Sequence, residues 1–124
     1  DIGHNEHGLK YNFKQLNNLL DDGTYTDLVM VYGSVKDKDV DAVLRILPER
    51  AHIFFTAAAN HRAMPAEELM QRSGRAKSEI ASDVADAVGK ALSLCATMAR
   101  PLLYIGGSTY VVSEAVPIIK RHNQ

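Results

Sequence analysis

A single cysteine, Cys95, rules out any internal disulfide. Small folds that bury too little apolar surface depend on such staples. At 124 residues this chain does not, because a chain of that size buries about two thirds of the surface it exposes when unfolded. A lone cysteine without a bridging framework points to a reducing, cytoplasmic setting. Charge of one sign is missing too. The net charge is -1, which argues against nucleic acid or an anionic membrane as partner, since both are met by a surplus of Lys and Arg. A local basic patch could still be assembled from Lys36, Lys38, Arg62, Arg72, Arg75 and Lys77. No apolar run reaches the roughly 20 residues of a membrane span, and no signal-peptide pattern is visible. Internal repeats, low-complexity tracts and linkers are also lacking, so a single domain over residues 1–124 is expected.

Three unbroken apolar runs stand out: Leu28–Tyr32, Ala51–Phe55 and Leu102–Ile105. Runs without alternation suit strands covered on both faces, as in a parallel sheet between helix layers. Ser78–Ala81 is polar enough to be an edge strand. Helical stripes lie between the runs. Leu9, Phe13, Leu16 and Leu20 make the first, and Val40, Val43, Leu44 and Leu47 make the second, which Pro48 stops. Pro65 suits a first helical position, with Glu67 and Glu68 behind it and Gly74 at the end. Val84, Val88, Ala91, Leu92 and Cys95 form the next stripe, capped by Ser82 or Asp83. Val112, Ala115, Val116 and Ile119 form the last, where Pro117 predicts a kink or a break near Glu114. The order is turn–helix and then strand–helix four times. It predicts an α/β fold, a Rossmann-like three-layer αβα sandwich with a mostly parallel, doubly wound sheet.

Open α/β sheets bind ligands beyond the carboxyl ends of their strands. The turns expected there are Asp1–Asn5, Gly33–Asp37, Thr56–Arg62, Ser82-Asp83 and Gly106–Thr109. Asp1 is an acceptor-only carboxylate that could take both hydroxyls of a ribose, or satisfy N–H groups at the start of a helix. His4 and His7 share a helical face, but a zinc site needs three or four ligands and no third is near in sequence, so no metal site is expected. His4, closer to the turn, is the better candidate for a contact to phosphate or substrate. Gly106-Gly107-Ser108-Thr109 leads from a strand into a helix. It can offer free N–H groups to an anion, or it can be a tight turn with Ser108 as cap. It is neither a Walker loop, having no Lys-Ser/Thr after the glycines, nor a Rossmann fingerprint, lacking the third glycine. Asp37 could cap the following helix and Asp39 would sit in its first turn, while Lys36, Lys38 and the His61-Arg62 pair are either plain loop cations, the default, or contacts for an anion. No Ser-His-Asp or Cys-His set is present, and Cys95 falls on an apolar stripe as a small core residue.

Together these segments resemble a known family. Asp1-x-Gly3-His4-Asn5 before a helix is similar to the Asp-Gly-Ala-His-Asn-Pro turn of folylpolyglutamate synthase/dihydrofolate synthase. Val31-Tyr32-Gly33-Ser34-Val35-Lys36-Asp37-Lys38-Asp39 resembles that family's next strand and Asp-Lys-Asp turn. Met64–Leu69 resembles its third helix start, and Leu103–Tyr110 its final strand and Gly-Ser-x-Tyr/Phe segment. The matches run in family order over nearly the whole chain. Ile2-Gly3 stands where Gly-Ala is usual, and Glu6 where proline is usual.

The resemblance implies the C-terminal domain of a Mur-ligase-type amide synthetase. Such an enzyme uses ATP and Mg2+ to phosphorylate a carboxylate, and glutamate then attacks the acyl phosphate of dihydropteroate or of a folate tail. By the same resemblance Asp1 contacts ATP, His4 lies in the catalytic cleft near the nucleotide, and Ser108 and Tyr110 meet the incoming L-glutamate. The P-loop, the magnesium ligands and an upstream arginine of that family have no counterpart in this sequence. A preceding N-terminal ATPase domain is therefore expected as partner, and the isolated chain is expected to be inactive. Two alternatives remain open: a muramyl-type amino-acid ligase domain, and a non-catalytic nucleotide-binding α/β module.

Overall fold

The strand runs that lack alternation are the centre of the molecule. In the computed structural model, which describes residues 6–36 and 39–122, the elements are α1 (Glu6–Asp21), β1 (Asp27–Gly33), α2 (Val40–Ile46), β2 (Ala51–Phe55), α3 (Ala66–Ser73), β3 (Ser78–Ile80), α4 (Val84–Cys95), β4 (Pro101–Gly107) and α5 (Thr109–His122). All strand pairs are parallel and the sheet order is β3-β2-β1-β4. Successive residues of β1 feed two separate cores. Met30 and Tyr32 join Ile53 and Phe55 under Leu9 and Phe13 of α1, Val43 and Leu44 of α2 and Leu69 of α3. Val29, Val31 and Phe54 join Val84, Val88 and Ala91 of α4 and Val111 and Ala115 of α5 on the opposite face. The result is the expected αβα sandwich. Each fully buried Val, Leu or Ile contributes roughly 1.5–3 kcal/mol, so the two-faced strand is where most stabilisation concentrates.

The element ends follow local chemistry. α2 stops at Leu47, whose ψ of 137° is the extended conformation forced on a residue before proline. Gly74 closes α3 in the left-handed region at φ 62°. Asp83, rather than Ser82, caps α4 by accepting from the Asp86 N–H at 2.7 Å, while Asp86 reaches back to the Ser82 N–H at 2.9 Å.

Several expectations need correction. Pro65 occupies the cap position and Ala66 the first helical one. Asp39 holds the N-cap position of α2, without a side-chain cap bond, and not a place in the first turn. α5 does not break near Glu114 and continues through Pro117 to His122. Pro117 and Ser113, four residues earlier, are both exposed, so the carbonyl that proline leaves unbonded faces water. The buried stripe of α5 runs through Val111 and Ala115 instead of Val112 and Val116, and Val116 is 42% exposed. Gly106 and Gly107 are strand residues paired with Tyr32 and Gly33, not a turn. Among the described residues no helix is long and apolar enough to cross a membrane.

Candidate functional site

The sheet reverses direction once. β1, β2 and β3 step outward on one side, and β4 returns to the other side of β1. Such a switch point opens a crevice at the carboxyl ends of the two strands. Here β1 ends at Gly33 and β4 at Gly107, and the two are register partners. Gly107 has φ +101°, and a Cβ on it would lie 1.8 Å from the Gly33 carbonyl oxygen. A Cβ on Gly33 would lie 2.7 Å from the Thr56 carbonyl oxygen and 2.8 Å from a Val111 methyl. Glycine is therefore required at both positions by contact, and at Gly107 also by backbone conformation. The seam is locked by the Ser108 N–H donating to the Gly33 carbonyl at 2.9 Å.

A cleft of about 360 Å³ opens over this seam. Ser34, Val35 and Asp39 come from the turn after β1, and Ser108, Thr109 and Tyr110 from the start of α5. Arg62 comes from the loop after β2. Leu9 of α1, together with Tyr32, Val40 and Val43, supplies the apolar side. Ser108 acts as a cap, its Oγ accepting from the Val111 N–H at 3.3 Å. That bond uses one lone pair and leaves the hydroxyl proton free to be donated. Tyr110 is 38% exposed beside it. Both readings of this segment, cap and ligand contact, are thus compatible in one residue.

The loop that brings Arg62 here is stitched in place. Arg62 accepts from the Lys36 N–H at 2.8 Å through its carbonyl, and its own N–H donates to Asn60 Oδ1 at 2.8 Å. The Met64 N–H donates to the Ser34 carbonyl at 2.8 Å, and Val35 bridges Ala63. On the other side Glu114 of α5 accepts from the Ala59 N–H at 2.8 Å. Below the cleft Tyr104 packs edge-on against Phe13 of α1, centroids 5.7 Å apart, which ties α1 to β4. Burial, with a smaller contribution from Tyr32, pushes the Tyr104 phenol up to about 12.

Of the predicted site residues, Ser108 and Tyr110 lie together in the cleft. Asp1 and His4 lie outside the described residues, as do Asp37, Lys38 and the His7 side chain. The Ser82-Asp83 turn is no part of the cleft, because β3 is two strands away from β1. Arg62, whose default reading is a loop cation with an anion contact as the alternative, and Asp39, read as a helix-start residue, both line the site. Nothing local in the sequence marks them; only the strand order brings their turns alongside Ser108. Cys95 is partly buried against the α4–α5 core, and burial raises its thiol pKa. Among the described residues no group of three or more His, Cys, Asp or Glu is placed to hold a metal ion.

Solved structures share this architecture. Mycobacterium tuberculosis folylpolyglutamate synthase complexed with ADP is 25% identical at a TM-score of 0.76, covering 96% of this chain. E. coli FolC in complex with DHPP and ADP is 19% identical at 0.73, covering 100%. A bifunctional folylpolyglutamate synthase/dihydrofolate synthase with Mn, AMPPNP and L-glutamate bound is 20% identical at 0.72, covering 97%. The chain spans 28% of the length of each of these proteins. No curated protein matches it. The family model described as Mur ligase, glutamate ligase domain, matches residues 1–107, a span that ends at the Gly33–Gly107 seam. The chain belongs to the Mur ligase family, as a glutamate ligase domain.

Proposed function

We propose that this chain works as the C-terminal domain of an ATP-dependent amide ligase that adds glutamate to dihydropteroate, to folate polyglutamate tails, or to both. The carrying observation is the cleft over the Gly33–Gly107 seam, which collects Ser108 and Tyr110 at the rim where α/β sheets bind ligands. Family membership supports it, as do the ADP, AMPPNP, Mn, DHPP and L-glutamate named in the complexes of similar structures.

In this reading the substrate carboxylate takes the γ-phosphoryl group of ATP. The amine of glutamate then attacks the acyl carbon, phosphate leaves with the C–O bonding pair, the nitrogen gives up one proton to the departing phosphate or to water, and an amide forms. The domain closes over ATP and helps to hold glutamate for that attack. Ser108 donates its free hydroxyl proton to a carboxylate oxygen, and the Tyr110 phenol gives a second donor. The resemblance assigns Asp1 to the nucleotide and His4 to the reacting groups. Magnesium would neutralise phosphate charge. Its ligands are assigned to the rest of the enzyme, as the resemblance implies. Catalysis of this kind rests on positioning and on charge stabilisation, which two closing domains supply better than one.

The isolated chain is expected to show no ATP-dependent glutamate ligation, and the full-length gene product to ligate glutamate to a folate or dihydropteroate. Parallel assays with folate and muramyl acceptors, read by product mass, check this. Product from muramyl acceptors only would move the protein to the muramyl branch. Product from neither would favour a non-catalytic nucleotide-binding module.

A further inference from the structure

We propose that Tyr104 is a positioning residue for the cleft: its ring, laid over Gly106 and met edge-on by Phe13, sets how closely α1 approaches the end of β4, and so where Leu9 stands in the apolar wall; this rests on the ligase reading above. Tyr104 and Gly106 alternate with Ile105 along β4 and therefore share the face of the sheet that α1 covers. A Cβ on Gly106 would lie 2.5 Å from Tyr104 Cε1, 2.8 Å from its Oη and 2.9 Å from its Cζ. The tyrosine thus leans along the strand toward its carboxyl end and fills the space that a side chain at 106 would take. Backbone conformation does not ask for glycine there, because Gly106, unlike Gly107, is not among the positive-φ residues. What asks for it is the ring.

The ring in turn carries a helix. Phe13 stands edge-on to it, with centroids 5.7 Å apart. Leu9 lies one turn earlier on the same face of α1, and it lines the cleft. Tyr32, the register partner of Gly106, lines the cleft too. Contact therefore runs from Gly106 through Tyr104 and Phe13 to the helix that holds Leu9. Interiors are close-packed, so a ring that shifts takes its neighbours with it. The Tyr104 phenol, pushed up to about 12 by burial and by Tyr32, stays protonated at neutral pH. Its contribution is shape and not proton transfer.

The test uses the full-length enzyme with Gly106→Ala, Tyr104→Leu, the two together, and Tyr104→Phe. Gly106→Ala drives the ring off its seat and raises KM for glutamate about 3- to 10-fold, less than the ~100-fold that a misplacement of about 1 Å can cost. Tyr104→Leu removes the brace and raises KM as well. Combined, the added methyl takes up space that the lost ring leaves, so KM falls below that of Gly106→Ala alone. Tyr104→Phe keeps the ring, and with it the parent KM and pH profile. Amide exchange along α1 quickens in both single variants and returns toward the parent in the combination. A merely structural role lowers the active fraction, read in kcat, and leaves KM where it was. Unchanged KM in both single variants, or a combination no better than Gly106→Ala, overturns the assignment while the ligase reading stands. Should Gly106→Ala not fold, Tyr104→Leu against Tyr104→Phe decides alone, and equal KM values in the two overturn the assignment. If the unsubstituted enzyme ligates no glutamate at all, the ligase reading falls and takes this assignment with it.

Discussion

Gly107 carries two constraints at one position. Its φ of +101° is open to few residues but glycine, and the Gly33 carbonyl oxygen occupies the place of a Cβ. Gly107→Ala must move β1 and β4 apart at their paired ends. A loss of about 3–5 kcal/mol in urea unfolding is expected, in the range of the most disruptive single substitutions. Thr56 shows the opposite case. It is fully buried just beyond β2, and its hydroxyl has no hydrogen-bond partner among the described residues. Thr56→Val keeps the shape and removes the unsatisfied oxygen. It should raise stability by about 1–2 kcal/mol, read as a higher unfolding midpoint; a lower midpoint would mean the hydroxyl has a bonding partner such as a trapped water.

At the scale of elements, α4 is held at its start by a reciprocal pair of carboxylates. The backbone N–H of Ser82, followed by weaker contributions from Lys90 and the Ser82 hydroxyl, keeps Asp86 below the usual aspartate value of 3.8. A depressed carboxylate stabilises the fold above that value and loses its contribution as pH falls through the lower folded one. Urea midpoints measured from pH 6 down to pH 2 should therefore drop, and Asp86→Asn should drop less across the acid limb. This scale was also the most legible in the sequence. β1 and β2 are buried on both faces and so read as unbroken apolar runs, and Pro48, Gly74 and Asp83 act through local backbone chemistry that spacing reveals. What escaped was non-local. The Gly106-Gly107 pair looks like a turn until a parallel partner is known, and Pro117 looks disruptive until its face of α5 proves to be wet. Ala115 belonged to the expected stripe and is buried, but Val112 and Val116 fitted that stripe as well as Val111 did, and only the packing of the folded sheet decided between them.

For the whole molecule, strand order decides function. The expected rim turns are spread over the sheet, and the reversal at β1/β4 selects those after β1, β2 and β4 while excluding the one after β3. The resemblance in the sequence pointed to Ser108 and Tyr110 and not to Arg62, whose place depends on a loop folding back onto residues 34–36. Glu114 joins that loop to α5, so the two walls of the cleft are fastened to one another. In the full-length enzyme Glu114→Ala should raise KM for glutamate about fivefold, the worth of one hydrogen bond of about 1 kcal/mol. Glu114→Gln keeps an acceptor for the Ala59 N–H and should stay near the parent value. The floor between these walls is bare main chain where two glycines touch, so it offers no side chain through which preference for one substrate over another could drift. Any retuning of appetite, by descent or by design, has to be written into flanks such as Val35, Val43 and Tyr110, while the bottom of the bowl stays as it is.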